Sequence, residues 1–442
     1  MQIIGANKTF DVTVNLVGSK SESNRALMIA YYGGFAPRIT NLSESDDTKL
    51  LYEIINGFTV KTLFIASHIN PNNPINSKTI NCHNAGTVLR FLATALAFRD
   101  GNWILTGSDR MLQRPVGDLV DALRTMGADI EYMGQEGFPP LKINGEIPVR
   151  TDRVCPDIIH VDISRSSQFA SSILLAMPVV ETGRCPSQNA DETDNGPSLH
   201  LDGDISSLPY IDMTIDIMQK FGINVHRDGR DIFVKPSDYQ DVEYTVESDW
   251  TCASYWYEIV AFSENGRARL RNLHLDSKQG DAIVAKWFEN FGVKSIQDGD
   301  DVVITRFGTQ CATSLQFDFT NNPDLYPTIA ATCAGLDINT HFTGLQNLKY
   351  KESDRVAAMT MELANFNSVQ TCHGASLPIK FDSHNDHRIA MALAPLAMKI
   401  GAIEINNADV VSKSYPNFWN DIQSVEMTIG YYSQPLVKTS TM

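Results

Sequence analysis

Long hydrophobic runs are missing from this chain. No stretch approaches the roughly 18 continuous apolar residues of a membrane-spanning helix, so none is expected. The N-terminus, MQIIGANKTFDVTVNL, lacks a basic segment followed by an apolar one and reads as free of a secretory signal. Cysteine is sparse: seven residues, at 82, 155, 185, 252, 311, 333 and 372, odd in number and without CxxC spacing. This argues against a disulfide scaffold or zinc ribbon and fits a reducing cytoplasm. Positive charge is also short. Lys and Arg total 36 against 52 Asp and Glu, a formal net charge of −16. Such a chain repels nucleic acid and anionic membranes, so neither is expected as a partner.

What is present is an ordinary globular composition, 43% apolar and 20% charged, over 442 residues. That length suits two domains or one large α/β domain. One pattern recurs four times: an amphipathic helical stretch, a Met or Phe, a Gly or Asn, then a strand-like run. The stop residues are Gly127, Gly222, Gly292 and Asn367. Gly or Asn at that point takes the left-handed conformation that ends a helix. Asp228-Gly229 and Asp298-Gly299 follow the second and third strand runs and suit type I′ hairpins. Repeated helix–strand–hairpin units follow from this, two or more per half. Residues 182–200 read as an exposed loop and 433–442 as a loose tail.

Several helices open on unusual residues. Gly18-Ser19-Lys20-Ser21-Glu22-Ser23-Asn24-Arg25 follows the strand FDVTVNLV and opens a helix. Hydroxyls, free backbone N–H groups and fixed cations at a helix start favour anions. The GxxxxGK[ST] spacing of a Walker A loop is absent. Asn84-Ala85-Gly86-Thr87 opens VLRFLATALAF, where Gly86 leaves no Cβ against an approaching ligand. Arg90 sits in the first turn of that helix, where the dipole disfavours cations unless an anion or acid is near. Arg114 precedes another helix, as do Ser166, Ser167 and Gln168. Lys351-Glu352-Ser353-Asp354-Arg355 opens one more and alone reads as a solvated face. His384-Asn385-Asp386-His387-Arg388 lacks HExxH spacing and a completing Cys, so no metal is expected there. Lys413 alone reads as a loop lysine, and Asp324 alone as a helix N-cap. Were these helix starts to converge, they would form an anion-binding cleft inside an acidic protein.

In this order GSKSESNRA, NAGTVLR, DRMLQRPVGDLVDAL, SSQFASSILLA, LPYIDMT, KESDR, NDHRIAMA and SKSYPNFW resemble the 5-enolpyruvylshikimate-3-phosphate synthase family, across nearly the whole chain. The resemblance implies an α/β, two-domain enolpyruvyl transferase fold, each domain of three βαβαββ units, with the active site in the interdomain cleft. It implies that residues 1–18 plus 248–442 form domain I and 19–247 domain II. The implied reaction moves the enolpyruvyl group of phosphoenolpyruvate to the 5-hydroxyl of shikimate 3-phosphate through a tetrahedral intermediate, with no metal or organic cofactor, in a monomer. Carried over by motif, Lys20, Gly86, Arg114, Gln168, Arg355, Arg388 and Lys413 hold phosphoenolpyruvate. Ser21, Arg25, Ser166, Ser167, Gln168, Ser207, Asp324, Asn347 and Lys351 hold shikimate 3-phosphate. Asp324 matches the general base and Glu352 the second proton carrier, with Lys20 assisting. Glyphosate competition is expected from the space beside Gly86.

Three positions depart from the family pattern. His83 stands where Gly is frequent, Phe91 where Pro is frequent, and Leu208, after Ser207, where Lys is common. They bear on packing behind the site and on inhibitor response. UDP-N-acetylglucosamine enolpyruvyltransferases share the fold and donor but carry a Cys shortly before an Arg-Pro pair. Residues 107–114 have none, and that family lacks the SKSxSNR block. A non-catalytic anion-binding paralogue is disfavoured because both carboxylates and every basic motif are present.

Overall fold

A computed structural model describes residues 1–5, 8–59, 77–145, 158–179, 197–308, 314–370 and 378–430. The chain opens with β1 (Gln2–Ile4), β2 (Thr9–Val14), α1 (Lys20–Gly33), β3 (Ile39–Thr40) and α2 (Asp46–Thr59). Next come β4 (Ser77–Asn81), α3 (Gly86–Ala97), β5 (Gly101–Thr106), α4 (Gly117–Thr125), β6 (Asp129–Tyr132) and β7 (Leu141–Gly145). A matching set is β8 (Ile158–Asp162), α5 (Gln168–Ala176), β9 (Ser198–Asp202), α6 (Leu208–Lys220), β10 (Val225–Asp228) and β11 (Asp231–Val234). After β12 (Tyr244–Thr245) follow α7 (Trp250–Phe262), β13 (Asn265–Leu270), α8 (Val284–Trp287), β14 (Val293–Asp298) and β15 (Asp301–Arg306). Then come β16 (Leu315–Asp318), α9 (Tyr326–Gly335), β17 (Thr340–Thr343), α10 (Arg355–Gln370) and β18 (Ile379–Asp382). The last elements are α11 (His387–Leu393), α12 (Ala397–Ile400), β19 (Ala402–Asn406), α13 (Phe418–Asp421) and β20 (Thr428–Gly430).

Four sheets share one plan. Their orders are β4-β5-β7-β6, β8-β9-β11-β10, β2-β13-β15-β14 and β18-β19-β1-β20. In each, the first two strands are parallel, and the fourth lies antiparallel between the second and third. These are four complete βαβαββ units. The third unit of each half adds only a parallel pair among the described residues, β3 with β12 and β16 with β17. The last complete unit takes its closing strand from the chain's start, with Ile3 paired to Ile403 and to Ile429.

The expected helix stops occur at Gly127, Gly222 and Gly292, all at positive φ. Asn367 differs: α10 runs on to Gln370, because exposed Asn367 interrupts nothing on a face that buries Glu362 and Phe366. Both Asp-Gly hairpins form, one residue out of the expected register. Asp228 pairs with Asp231 and Asp298 with Asp301, so each glycine is the first of two loop residues. Only that glycine has positive φ, the II′ pattern rather than I′. Residues 182–196 and 433–442 lie outside the described residues, whereas Ser198–His200, expected as loop, belong to β9.

Apolar side chains gather into two cores. One holds Ile3, Val14, Leu16 and Val17 with residues from Trp250 to Met427; the other runs from Ala26 to Val246. α7 is buried on all sides at the centre of the first. The chain passes between them twice, side by side. Ser19 N donates to Glu247 O at 2.8 Å and Asp249 N to Val17 O at 2.9 Å. Ser19 and Asp249 at this crossing also cap α1 and α7, accepting from Glu22 N and Cys252 N. Helix starts are thereby fixed where the two halves meet.

Candidate functional site

The starts of α1, α3, α5, α6 and α11 and the turns before α9 and α10 face one cleft between the two cores. Hydrogen bonds cross it directly. Asn347 Nδ2 donates to Ser206 Oγ (2.8 Å), Ser207 N to Thr320 O (2.9 Å) and Arg110 Nη2 to Lys351 O (2.8 Å).

On the C-terminal side, buried Arg355 organises three carboxylates. Its Nη1 donates to Asp324 Oδ1 (2.7 Å), Nη2 to Glu352 Oε2 (2.9 Å) and Nε to Asp386 Oδ2 (2.7 Å). Asp386 is placed by its second task, capping α11 through Arg388 N. Asp324 Oδ2 also accepts from Arg388 Nη2 at 2.7 Å and Tyr210 OH at 3.4 Å, and Lys351 Nζ lies 3.4 Å from Oδ1. Glu352 Oε1 accepts from Lys413 Nζ at 3.0 Å, and Arg114 Nη1 lies 3.9 Å away. Burial alone would raise both carboxyls. Arg388, Lys351 and Arg355 outweigh it at Asp324, as do Lys413, Arg114 and Arg355 at Glu352, holding both well below the usual carboxylate range. Asp324 and Glu352 are thus anions on two ends of one guanidinium. His387 lies beside them; burial, then Lys20 and Arg388, push its imidazole well below the ordinary value, so it is neutral.

On the N-terminal side two buried arginines, Arg25 and Arg90, meet neutral partners. Arg25, 2% exposed, donates to Thr214 Oγ1 (2.7 Å), Ser21 O (2.9 Å), Ser171 Oγ (3.0 Å) and Tyr210 O (3.1 Å), with Phe91 beneath its guanidinium. Arg90 donates to Gln168 Oε1 (2.6 Å) and Pro115 O (3.2 Å) and lies over Phe169. No carboxylate ion-pairs with either among the described residues. Burial pulls Arg25 down to about 10; burial with Arg114 pulls Arg90 down to about 9. Gln168 Nε2 donates to Thr87 Oγ1 at 2.9 Å, tying α5 to α3. The open side of Gly86 faces protein rather than space: a Cβ there would stand 2.6 Å from Arg114 Nη2.

Of the residues expected from sequence, Lys20, Ser21, Arg25, Gly86, Arg114, Ser166, Ser167, Gln168, Ser207, Asp324, Asn347, Lys351, Glu352, Arg355 and Arg388 line the cleft. Lys413 stands behind it, held by Glu352 and by Asn84 O at 2.8 Å. The local readings of KESDR as a solvated face and of Lys413 as a loop lysine fail, because Lys351, Arg355 and Lys413 find partners distant in sequence. Asp324 lies inside a 3₁₀ turn, with Asn322 at the cap position. Sequence reasoning missed Asp47, whose Oδ2 is 3.4 Å from Lys20 Nζ, together with Thr87, Arg165, Tyr210 and His387 in the lining. A signal existed for Arg90, a cation in the wrong turn of its helix. Asp47 offered none, since acids in a first turn are routine. Two of the departures now have a setting. His83 adopts φ 47°, a conformation glycine takes more readily, and Phe91 packs under Arg25.

A family model for EPSP synthase (3-phosphoshikimate 1-carboxyvinyltransferase) matches residues 5–422. A 3-phosphoshikimate 1-carboxyvinyltransferase of Bacteroides fragilis (strain YCH46) is 36% identical over 435 residues, covering 95% of this chain and 97% of that protein. One from Vibrio vulnificus (strain YJ016) is 32% identical over 437 residues, covering 93% and 96%. Among solved structures, EPSP synthase from Acinetobacter baumannii superposes with a TM-score of 0.67 at 22% identity, covering 96% of this chain and 97% of that one. The enolpyruvyl transferase NikO from Streptomyces tendae gives 0.63 at 13% identity, covering 97% of each. At such identities these structures establish the shared fold.

Proposed function

We propose a reaction and a division of labour from the premise that the chain belongs to the EPSP synthase (3-phosphoshikimate 1-carboxyvinyltransferase) family. The protein is a transferase of the shikimate pathway, moving the enolpyruvyl group of phosphoenolpyruvate to shikimate 3-phosphate. The observation that carries the assignment of roles is the shared clamp: Asp324 and Glu352, the two proton carriers, both bonded to Arg355. In the addition step the acceptor's 5-hydroxyl oxygen bonds to C2 of phosphoenolpyruvate. Its proton passes to Asp324, and C3 takes the proton that Glu352 picks up from water once Lys413, Arg114 and Arg355 turn to phosphoenolpyruvate, with Lys20 assisting. In the elimination step the C2–O bond to phosphate breaks and C3 returns a proton, restoring the vinyl group.

The ion pairs supply the timing. Phosphoenolpyruvate competes with Asp324 and Glu352 for Arg355, Arg388 and Lys413. As those cations turn to the ligand, both carboxylates lose what holds their proton affinity down and become stronger bases. Arg114, Gln168, Gly86 and Lys20 complete the donor site. Ser21, Arg25, Ser166, Ser167, Ser207, Asn347 and Lys351 hold the acceptor. The two separate cores support domain I as 1–18 plus 248–442 and domain II as 19–247. A monomeric, cytoplasmic protein is the reading adopted; the buried thiols Cys82, Cys252 and Cys333 support a reducing location. Among the described residues no helix is long and apolar enough to cross a membrane.

Phosphate release from phosphoenolpyruvate, with shikimate 3-phosphate or UDP-N-acetylglucosamine as acceptor, tests the reading. Release is expected with shikimate 3-phosphate alone. Release with the nucleotide sugar would reassign the acceptor, and none with either would mark a non-catalytic paralogue. Glyphosate, an anion, is expected to compete with phosphoenolpyruvate for the cations of the donor site rather than for space beside Gly86, which Arg114 fills; full activity at millimolar glyphosate would rule that out.

A further inference from the structure

A second cluster of chemically capable side chains lies outside the cleft, on the solvent face of the β8-β9-β11-β10 sheet. His160 on β8 pairs in register with His200 on β9, and Asp231 on β11 is the neighbour of His200 on its other side. Asp202 stands two residues along β9, on the same face. The imidazole rings are 5.1 Å apart. Asp202 Oδ2 lies 3.1 Å from His160 Nδ1, and Oδ1 lies 3.7 Å from His200 Nε2. One ligand atom from each of the three falls within 4.8 Å of both others.

We propose that His160, His200 and Asp202 bind one zinc-class divalent ion, with Asp231 as the carboxylate behind His200. The hydrogen bond from His200 Nδ1 to Asp231 Oδ1, at 2.6 Å, carries the argument furthest. It places a ring proton on Nδ1 and leaves Nε2, 3.7 Å from Asp202 Oδ1, as the ring nitrogen available to an ion. A divalent ion between Nε2 and Oδ1 would satisfy both, as would a second ring proton, and metal uptake separates the two. The same carboxylate–histidine pairing orients imidazole ligands in metal sites and raises their basicity. Two imidazoles and one carboxylate suit zinc, with water in the fourth position. Tetrahedral ligands about 2.1 Å from zinc stand roughly 3.4 Å apart, so rotations of these part-exposed side chains by about 1 Å close the sphere. Asp162 and Asp228 add negative charge to the same face, with Arg230 nearby, while Arg227 lies on the other face paired with Asp212. β8 leads into Ser166 and Ser167, and β9 into Ser206 and Ser207. An ion joining the two strands would therefore pin the bases of two cleft-lining loops.

The test uses the full chain, stripped with chelator and titrated at pH 7.5 with zinc chloride by calorimetry. Cobalt serves as a second probe through its visible absorption. One ion per chain is expected, with tetrahedral cobalt bands. His160→Ala with His200→Ala should abolish both signals, and Asp231→Asn should weaken zinc binding about 10- to 100-fold. Circular dichroism checks the fold, and His160→Gln alone serves if the double variant is damaged. No zinc uptake by the wild-type chain, or equal uptake by the folded variants, would overturn the site.

Discussion

Two groups of buried arginines, at or just behind the same cleft, behave oppositely. Arg25 and Arg90, in the N-terminal core, rest on hydroxyls, carbonyls, an amide and aromatic faces, and burial pulls both down. Burial acts equally against Arg355 and Arg388 in the other half. There Asp386, Asp324 and Glu352 outweigh it at Arg355, and Asp324 leads the groups that do so at Arg388, so both rise. The first group holds its charge without a carboxylate partner among the described residues, stabilised by neutral hydrogen bonds. The second commits its charge to the carboxylates Asp324, Glu352 and Asp386. Residue type and burial are shared, so the difference resides in the partners.

The sharpest way to break this contrast is Asp324→Asn. Turnover should fall about 10²- to 10⁴-fold with acceptor binding still measurable by calorimetry; unchanged turnover would remove Asp324 from the mechanism. The contrast extends to carboxylates through Glu22, which accepts from Glu247 N and lacks an ion-pair partner among the described residues. Burial, then the Glu247 charge, raises it to about 7. Its folded value lies above its unfolded one, so its contribution is complete at low pH and is lost as pH climbs toward 7. Asp324 and Glu352, held low, contribute above the ordinary carboxylate range and lose it only in acid. Urea unfolding should therefore show wild-type stability declining between pH 5 and 7.5 by up to about 3 kcal/mol from Glu22, a slope that Glu22→Gln removes. Arg25→Lys keeps the charge but not the four-bond geometry. Steady-state kinetics should show the acceptor KM rising about 10-fold, the phosphoenolpyruvate KM moving far less. Equal shifts in both would erase the assignment of Arg25 to the acceptor. The smallest effect is expected from Gly86→Ala, which pushes Arg114 aside. A phosphoenolpyruvate KM raised a few-fold at nearly unchanged kcat is the expected reading.

Features set by neighbours in sequence were legible before any coordinates. Gly127, Gly222 and Gly292 stop their helices because the left-handed turn is a local property. The hairpins at Gly229 and Gly299 were legible as hairpins, but not their register, which strand pairing decides. Asn367 misled because burial of Phe366 continues the helix past it. Within the site, motif order identified the cleft-lining residues, yet no local rule could show that Lys413 would find Glu352 or that Arg90 would hold Gln168. Those are contacts between distant segments, and their energies come from exclusion of water that the linear chain does not display.

The placement of β1 between β19 and β20 sets a timetable for synthesis. The core that runs from Ala26 to Val246 has all its strands once the middle of the chain has emerged. Ile3 must wait for Ile403 and Ile429. At about 5–20 residues per second, roughly 20–80 seconds separate the first strand from its partners. Through that interval β1 is an unpaired strand on a nascent chain whose middle can already be folded, whereas β2 waits only for β13. The half that carries Asp324 and Glu352 is thus the last to become whole, and its side of the cleft stays incomplete until the final sheet has taken back the chain's first residues.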